Sequence, residues 1–273
     1  MLKKNIIITG GTDGIGLALT RQLIEKDQRV FIVGRNASKG EAVLNSIKSP
    51  NLEFFQCDLS ELSEVRKILV TLNNLKNIDV LINNAGAIFD ERNLNSNGIE
   101  KTFFLNHLSY FALSLGLVEK LESSNDPRII NVSSNAHKRY KIDLDDLENE
   151  TNYNGWKAYC RSKLLNIFFT YSFKDKIKTK INSNCLHPGF VNSNFGNNNK
   201  NFYRFLINIL KNLFAIESNK AALSPLNLAL SEEFKNVNGK YFFKLKEKKS
   251  SNESYNIELA NQIWDKSLKY LKL

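Results

Sequence analysis

Short apolar runs alternate with longer stretches of helical spacing along most of the chain. Six of these runs have the length of a strand, at residues 5–9, 29–33, 52–56, 80–83, 128–132 and 180–186. Strands that alternate with helices are typical of βαβ units, in which the strands run parallel and helices cover both faces of the sheet. The pattern therefore predicts an α/β fold built on a doubly wound parallel sheet.

The C-terminal part of the chain continues this pattern. A seventh apolar run at 240–243 follows Asn238-Gly239, and the tail over 256–273 has apolar residues at helical spacing, namely Leu259, Ile263, Trp264, Leu268 and Leu271. The sequence contains no internal repeat and no linker rich in proline, glycine or serine. We therefore expect a single domain over residues 1–273 with a sheet of about seven strands.

Two segments interrupt the alternation. Residues 137–155 are polar and acidic, which predicts a long surface excursion. Residues 197–216 begin with three asparagines and continue with apolar side chains around too much of the helix for an ordinary surface face. We favour a substrate-lid insertion around residues 190–220, while a helix lying on a membrane surface and a packed core helix stay open as alternatives.

The chain is basic, and its cysteines and histidines show no disulfide or metal-ligand spacing. The formal net charge is +10, with the lysines scattered along the sequence. This scatter favours a solvated basic surface over a nucleic-acid site, although an anionic membrane or a phosphate-bearing ligand is also compatible with it. Three cysteines, an odd number, fit a reducing compartment. We expect no metal and no nucleic-acid partner.

The sequence has neither the apolar core of a signal peptide nor a run of about 18 apolar residues. We therefore expect a cytoplasmic protein without a transmembrane segment. Peripheral contact with a membrane and assembly into a homodimer both stay open.

A glycine-rich turn follows the first apolar run directly and precedes a helical stretch. It reads Thr9-Gly10-Gly11-Thr12-Asp13-Gly14-Ile15-Gly16. Glycines between a strand and a helix let the backbone approach a diphosphate, and the helix N-terminus supplies free N–H groups. The turn predicts a Rossmann-type dinucleotide site with contacts from Gly10, Thr12, Asp13, Gly14, Ile15 and Gly16.

The end of the second apolar run bears on which dinucleotide binds. An acidic residue there would bind the ribose 2′-hydroxyl of NAD, whereas a basic residue would pair with the 2′-phosphate of NADP. The run ends in Val33-Gly34-Arg35, and a guanidinium can grip a phosphate with two hydrogen bonds. NADP is therefore favoured over NAD. Two observations oppose this reading: Arg35 is also compatible with a loop ion pair, and Asp13 would repel a phosphate that it faced.

Tyr159 and Lys163 lie four residues apart in a helical stretch, so they share one face of the helix. A fixed positive charge beside a phenol stabilises the phenolate and lowers its pKa towards the range of a useful acid or base. We therefore expect the pair to handle a proton.

The combined motifs resemble those of the short-chain dehydrogenase/reductases. They are the glycine turn, Asn83-Asn84-Ala85-Gly86, Asn131-Val132-Ser133-Ser134 and the Tyr159/Lys163 pair, in that order. Within this superfamily the chain is most similar to the retinol dehydrogenase-like branch, through Asn106-His107-Leu108, Asn135-Ala136-His137, Tyr159-Cys160-Arg161-Ser162-Lys163-Leu164, His187-Pro188-Gly189 and Gly239-Lys240-Tyr241-Phe242. The resemblance extends over nearly the whole chain.

The resemblance implies a catalytic tetrad. Tyr159 would be the general acid or base, and Lys163 would lower its pKa and bind the nicotinamide ribose. Ser134 would hold the substrate oxygen, with Ser133 as the second choice. Asn106 would anchor a water molecule in a proton relay through Lys163. The hydride belongs to the cofactor, so the protein needs only to orient the substrate and to manage one proton.

The same resemblance implies further cofactor contacts. Asp58 and Leu59 would meet the adenine, with a helix cap as the alternative role of Asp58. Asn83, Ala85 and Gly86 would lie near the adenine ribose, with a turn residue as the alternative role of Asn83. The nicotinamide would be received by a later segment containing Pro188, Gly189, Val191 and Ser193.

Together these features predict an NADP-dependent oxidoreductase that transfers a hydride between the cofactor and an alcohol or carbonyl substrate. The apolar character of residues 197–216 favours a lipophilic substrate. A non-catalytic NADP-binding regulator or scaffold of the same fold is the alternative.

Overall fold

The residue ranges of the strands agree closely with the apolar runs of the sequence. The computed structural model describes residues 3–191, 215–216 and 218–272. Within these ranges the strands are β1 Asn5–Thr9, β2 Arg29–Gly34, β3 Leu52–Gln56, β4 Val80–Asn83, β5 Arg128–Val132, β6 Asn182–His187, β7 Phe190–Val191, β8 Ala215–Ile216, β9 Tyr241–Phe243 and β10 Lys246–Glu247.

Among the described residues, eight strands form one sheet in the order β10–β9–β6–β5–β4–β1–β2–β3. Every neighbouring pair in this sheet is parallel except β9 and β10, which are antiparallel. The order reverses direction at β1, which pairs with both β2 and β4. The carboxyl ends on either side of such a reversal leave a crevice in which ligands bind. The protein is thus one α/β Rossmann-like domain.

The sheet has eight strands among the described residues, whereas the sequence predicts about seven. The additional strand is β10, which forms a hairpin with β9 through Lys244 and Leu245, two residues with positive φ angles of 49° and 62°. Both residues of β10, Lys246 and Glu247, are exposed. The sequence pattern did not predict this strand because neither of its residues is apolar or part of the core.

Nine α-helices accompany the strands within the described ranges. They are α1 Gly14–Glu25, α2 Ala37–Ile47, α3 Leu62–Asn73, α4 Lys101–Phe103, α5 Ser109–Gly116, α6 Val118–Glu122, α7 Gly155–Lys176, α8 Ser218–Leu230 and α9 Ile257–Leu271. A π-helical turn, Phe104–Leu108, joins α4 to α5, and 3₁₀ turns lie at Asn135–Lys138, Glu232–Phe234 and Asn252–Tyr255. Asn36, Asn154 and Asn256 cap α2, α7 and α9 by accepting main-chain N–H bonds.

The sheet is buried on both faces. Along β1, Ile7 packs into the core formed with α3, α5, α7 and α9, whereas Ile6 and Ile8 pack into the core formed with α1 and α8. This alternation follows from the two-residue period of a strand. On the first face, the ring of Trp264 in α9 lies 4.7 Å from that of Phe111 and 6.0 Å from that of Phe169.

The polar segment between the Ser134 and Tyr159 regions is held tightly against α7. Arg161 donates hydrogen bonds to the main-chain oxygens of Lys141 (2.9 Å) and Asp146 (3.1 Å), and to Oδ1 of Asn149 (2.9 Å). Leu147 from the same segment is buried in the core. The expected surface excursion is therefore irregular in structure but fixed to the helix that carries Tyr159.

Most of the predicted lid around residues 190–220 lies outside the described residues, including all of 192–214. Of the described part, β7 and β8 pair in parallel. Of the helices in the described ranges, none combines the length and the apolar character that crossing a bilayer requires.

Candidate active site

The predicted site residues converge on the carboxyl edge of the sheet. Because β1, β2, β4, β5 and β6 are parallel, their C-terminal ends meet at one edge. The glycine turn follows β1, Arg35 follows β2, and Ser134 lies two residues beyond β5. The fold thus brings together motifs that are far apart in the sequence.

Two glycines of the turn, Gly10 and Gly16, have no room for a side chain. Gly10 has a φ of +69°, and a Cβ atom on it would lie 3.0 Å from Cα of Ala85. A Cβ atom on Gly16 would overlap the main-chain oxygen of Gly10. The turn therefore presents bare backbone before the N-terminus of α1, an arrangement that fits a dinucleotide diphosphate.

The side chain of Asp13 stabilises the glycine turn and the start of α1. Its carboxylate accepts a hydrogen bond from the N–H of Gly14 at 2.7 Å, which caps α1, and forms an ion pair with Lys39 at 2.6 Å. The carboxylate is thus compensated by a neighbouring cation. Thr12 lies against Gly34 at the end of β2, and Ile15 packs on the core.

A pocket of about 550 Å³ opens at the ends of β2 and β3. It is lined by Arg35, Asn36, Gln56, Cys57, Asp58 and Glu64. Arg35 is exposed, and no ion pair within the described ranges involves it, so the alternative reading of a loop ion pair lacks a partner there. The pocket combines one guanidinium with two carboxylates, those of Asp58 and Glu64, and a guanidinium and a carboxylate fit the phosphate and the adenine of a phosphate-bearing adenosine.

Asp58 does not cap the following helix, because the cap position of α3 is Glu61. One carboxylate oxygen of Asp58 accepts hydrogen bonds from the N–H (3.0 Å) and the hydroxyl (2.8 Å) of Ser60. The side chain of Leu59 is buried in the core, so only its main chain is available to a ligand.

Asn83 belongs to a buried polar network beneath the site. Its Nδ2 donates to Oγ of Ser114 at 3.0 Å and to Oδ1 of Asn131 at 2.9 Å. Nδ2 of Asn131 in turn donates to Oγ1 of Thr170 at 3.0 Å. The network ties β4 and β5 to the helices that pack on them, so Asn83 is a structural support rather than a turn residue.

The loop after β4 approaches the site closely through Gly86. A Cβ atom on this glycine would lie 3.1 Å from Oδ1 of Asn106 and 3.3 Å from Nζ of Lys163. The preceding Ala85 is held from both sides, because its N–H donates to Oγ1 of Thr9 at 3.0 Å and its oxygen accepts from the hydroxyl of Tyr110 at 2.8 Å.

Asn106 lies in the π-helical turn between α4 and α5. Its side chain exchanges two hydrogen bonds of 2.9 Å with the main chain of Ala87, and its Nδ2 also lies 3.0 Å from Oγ of Ser162. Single π-helical turns often mark functional sites. The side-chain amide joins the β4 loop to α7, so it fixes the positions of both Gly86 and the helix of Tyr159.

Tyr159 and Ser134 form the polar centre of the site. The Ser134 side chain lies close enough to the Tyr159 phenol to oppose the rise of its pKa by hydrogen bonding, and its Oγ accepts from the N–H of Ala136 at 3.2 Å. The hydroxyl of Ser133 instead donates to the main-chain oxygen of Lys163 at 2.7 Å. Ser134 is therefore placed beside the phenol, whereas Ser133 anchors α7.

Lys163 reaches the same centre from α7. Its Nζ donates a hydrogen bond to the main-chain oxygen of Val132 at 3.0 Å, and lies 5.5 Å and 5.6 Å from the ring centroids of Tyr110 and Tyr159. Burial lowers the pKa of this ammonium from 10.5 to about 7.

The sequence-based expectation of a lowered phenol pKa is not met in this arrangement. Burial raises the pKa of Tyr159 well above 10, and the hydrogen bond from Ser134 opposes this shift only in part. The ammonium of Lys163 is bonded to Val132 rather than to the phenol. Desolvation therefore dominates the pKa of this phenol and favours its protonated form.

Two supporting residues were missed in the sequence. Tyr110 is buried beneath Lys163 and looks like any core tyrosine in the sequence. His137 accepts from the N–H of Ser251 at Nε2 (3.1 Å), so its Nδ1 carries the proton and donates to the main-chain oxygen of Ser134 at 2.6 Å. Burial lowers the pKa of His137 to about 4. A neutral imidazole thus helps to position Ser134.

The segment expected to receive the nicotinamide begins at the end of β6. Gly189 has a φ of +96°, and its N–H donates to Nδ1 of His187 at 3.3 Å. Pro188 is buried and Val191 ends β7, whereas Ser193 lies outside the described residues. In the part of the chain that the structure describes, no cluster of histidine, cysteine, aspartate and glutamate could hold a metal ion.

Comparison with known proteins agrees with this geometry. A sequence model of the short chain dehydrogenase family matches residues 4–203. Human polyprenol dehydrogenase is 32% identical, with 96% of this chain and 83% of that protein aligned. Human retinol dehydrogenase 13 is also 32% identical, with coverages of 99% and 85%. A putative uncharacterized protein from Mycobacterium paratuberculosis has a similar structure, with a TM-score of 0.80, 26% identity and coverages of 98% and 93%.

The relatives match over almost the full length of the chain, and the family match spans both the glycine turn and the Tyr159/Lys163 pair. Enzymes of this family are oxidoreductases that act on CH–OH groups of small molecules with a nicotinamide dinucleotide. The chain belongs to the short-chain dehydrogenase/reductases, in the branch that contains the retinol dehydrogenases.

Proposed function

We propose that this protein is an NADP-dependent oxidoreductase that transfers a hydride between NADP(H) and a lipophilic alcohol or carbonyl compound. The observation that carries the proposal is the proximity of three groups: the Ser134 side chain lies beside the Tyr159 phenol, and Nζ of Lys163 lies 5.6 Å from the centroid of the Tyr159 ring. Two neighbouring hydroxyl groups can both bind one substrate oxygen. A regulator without chemistry has no need of such a pair.

The chain's own residues would manage the oxygen and the proton. A bound nicotinamide supplies or accepts the hydride. During reduction, Ser134 and Tyr159 would donate hydrogen bonds to the carbonyl oxygen, and the Tyr159 phenol would give up its proton to that oxygen. Burial keeps this phenol protonated at neutral pH, as a proton donor requires. Lys163 would stabilise the resulting phenolate and, with a pKa of about 7, return a proton to it.

Asn106 would act through the elements that it joins. Its amide holds Ala87 and lies 3.0 Å from Oγ of Ser162, next to Lys163 in the sequence. The proton relay through a water molecule, implied by the family resemblance, would therefore be positioned by the π-helical turn that carries this residue.

The preference for NADP rests on Arg35. It lines the pocket at the end of β2 and is exposed, so its guanidinium is available for a 2′-phosphate. Asp13 in the glycine turn, which could repel this phosphate, is compensated by Lys39 at 2.6 Å. Asp58, which also lines the pocket, would bind the adenine.

The lipophilic substrate is supported by the site's surroundings and by the relatives. Apolar side chains of Ile88, Ala136 and Trp156 pack around Tyr159. Two full-length relatives are named for long apolar alcohols, polyprenol and retinol. We also propose a substrate lid in residues 190–220.

Cofactor choice and catalysis can be tested together. Dissociation constants for NADPH and NADH, measured on wild type and Arg35→Ala, should show tighter binding of NADPH that weakens about tenfold or more in the variant, while NADH changes little. Equal affinities in wild type would contradict the NADP assignment. NADPH binding without turnover of any member of a broad carbonyl panel would favour the regulator.

A further inference from the structure

The indole ring of Trp156 lies against the catalytic phenol. Trp156 precedes Tyr159 by three residues in α7, so both side chains emerge on one face of the helix. Their ring centroids are 5.7 Å apart and the planes are inclined by 26°, which is an offset stacked arrangement. Whatever substrate reaches the Tyr159 hydroxyl therefore does so beside this indole.

The neighbours of the indole complete an apolar wall around the polar centre. Ile88 follows the Gly86 loop, Ala136 lies two residues after Ser134, and both pack in one cluster with Tyr159 and Trp156. Ile88 is 2% exposed and Ala136 8% exposed, so they have little surface left for a ligand.

The exposure of Trp156 differs from that of its neighbours. Trp156 is half-buried, whereas Trp264, which packs from α9 into the core, is 6% exposed. Packing against its neighbours therefore does not cover the whole indole of Trp156. The accessible part of Trp156 leaves apolar surface available for contact next to a site that binds a polar oxygen.

We propose that Trp156 is a specificity-determining residue, which forms the apolar wall beside Tyr159 and Ser134 and selects substrates that carry an extended apolar group next to the reacting carbon. The inference rests on the proposed function, because it assumes that the substrate oxygen binds between these two hydroxyls. The group that Trp156 recognises is the apolar chain of an aldehyde or an alcohol.

Fluorescence can test the contact without turnover, because the chain has two tryptophans. Trp264→Phe leaves Trp156 as the emitting residue, and Trp156→Phe is the matched control that leaves Trp264. Each is titrated with dodecanal in the presence of oxidised NADP, which cannot reduce an aldehyde. We expect a saturable change of emission in Trp264→Phe and none in Trp156→Phe. Emission of Trp264→Phe that stays constant while this variant reduces dodecanal with NADPH would overturn the proposal.

Steady-state kinetics with NADPH give a second readout. For Trp156→Ala, kcat/KM should fall by about tenfold or more with dodecanal, mainly through KM, but by less than about threefold with butanal, because the short chain of butanal buries less apolar surface against the ring. Trp156→Phe, which keeps an aromatic ring, should restore most of the loss. Equal losses for the two aldehydes would contradict a role in selection. If wild type reduces neither aldehyde, the broad carbonyl panel decides the proposed function, and the emission titration decides separately whether Trp156 contacts an apolar chain, by the presence or absence of a saturable change.

Discussion

Nζ of Lys163 donates a hydrogen bond of 3.0 Å to the main-chain oxygen of Val132, at the carboxyl end of β5. This bond pairs one of the three N–H groups of a buried ammonium that has no acidic partner among the described residues. It also fixes the separation between the helix that carries Tyr159 and the strand that leads to Ser134. Burial of the ammonium is therefore a cost to stability that the site retains for its chemistry.

This cost predicts how stability depends on pH. Because the pKa of Lys163 is lowered to about 7 from 10.5, the unfolded chain binds a proton between these pH values that the folded chain has lost. The free energy of unfolding contributed by this group therefore rises with pH across that window. Lys163→Met removes the contribution, so wild type should gain stability relative to the variant from pH of about 7 to about 10. Urea unfolding at both pH values measures this, and parallel pH dependences of the two proteins would refute it.

Removal of the Asn83 amide should destabilise the fold. Asn83→Ala leaves Oδ1 of Asn131 and Oγ of Ser114 without their buried donor, which costs about 1–3 kcal/mol. Ser114→Ala, which removes one partner and keeps the bond to Asn131, should cost less. Urea denaturation compares the two, and a larger loss in Ser114→Ala would show that the network is not centred on Asn83.

Loss of the Arg161 side-chain bonds should release the segment between the Ser134 and Tyr159 regions. In Arg161→Met, the main-chain oxygens of Lys141 and Asp146 lose their donor, so this segment should open locally more often. Limited proteolysis should then cut within residues 139–154 faster than in wild type, with Lys67→Met on the exposed surface of α3 as a control. Unchanged cleavage would indicate that the other contacts, such as the burial of Leu147 and the bond from the N–H of Ile142 to Glu253, hold the segment.

The sequence predicted the fold well where burial leaves a simple pattern. The strands β1, β3, β4 and β5 have the expected boundaries, because apolar runs enclosed between helices can take few other structures. The hairpin strand β10 was missed because its residues are polar and exposed. The π-helical turn at Asn106 was also missed, since one extra residue in a helical turn leaves no periodic signal.

The site was predicted by residue type, but its electrostatics were not. Helical spacing places Tyr159 and Lys163 on one face, and the structure has both side chains at the carboxyl edge. The direction in which the pKa of the Tyr159 phenol shifts depends on its burial by neighbours such as Ile88 and Ala136. The spacing of residues in the sequence does not reveal this burial. The bond from His137 to the main chain of Ser134 similarly depends on a distant N–H, that of Ser251.

The central claim is that the Tyr159 hydroxyl carries the proton in a hydride transfer between NADP(H) and a carbonyl compound. Its most direct test is the rate of NADPH consumption by wild type and Tyr159→Phe with an aldehyde that wild type reduces, alongside their dissociation constants for NADPH. The account predicts that kcat falls by about 10²–10⁴-fold in the variant while NADPH binding changes by less than about threefold. Turnover by Tyr159→Phe equal to that of wild type would contradict it.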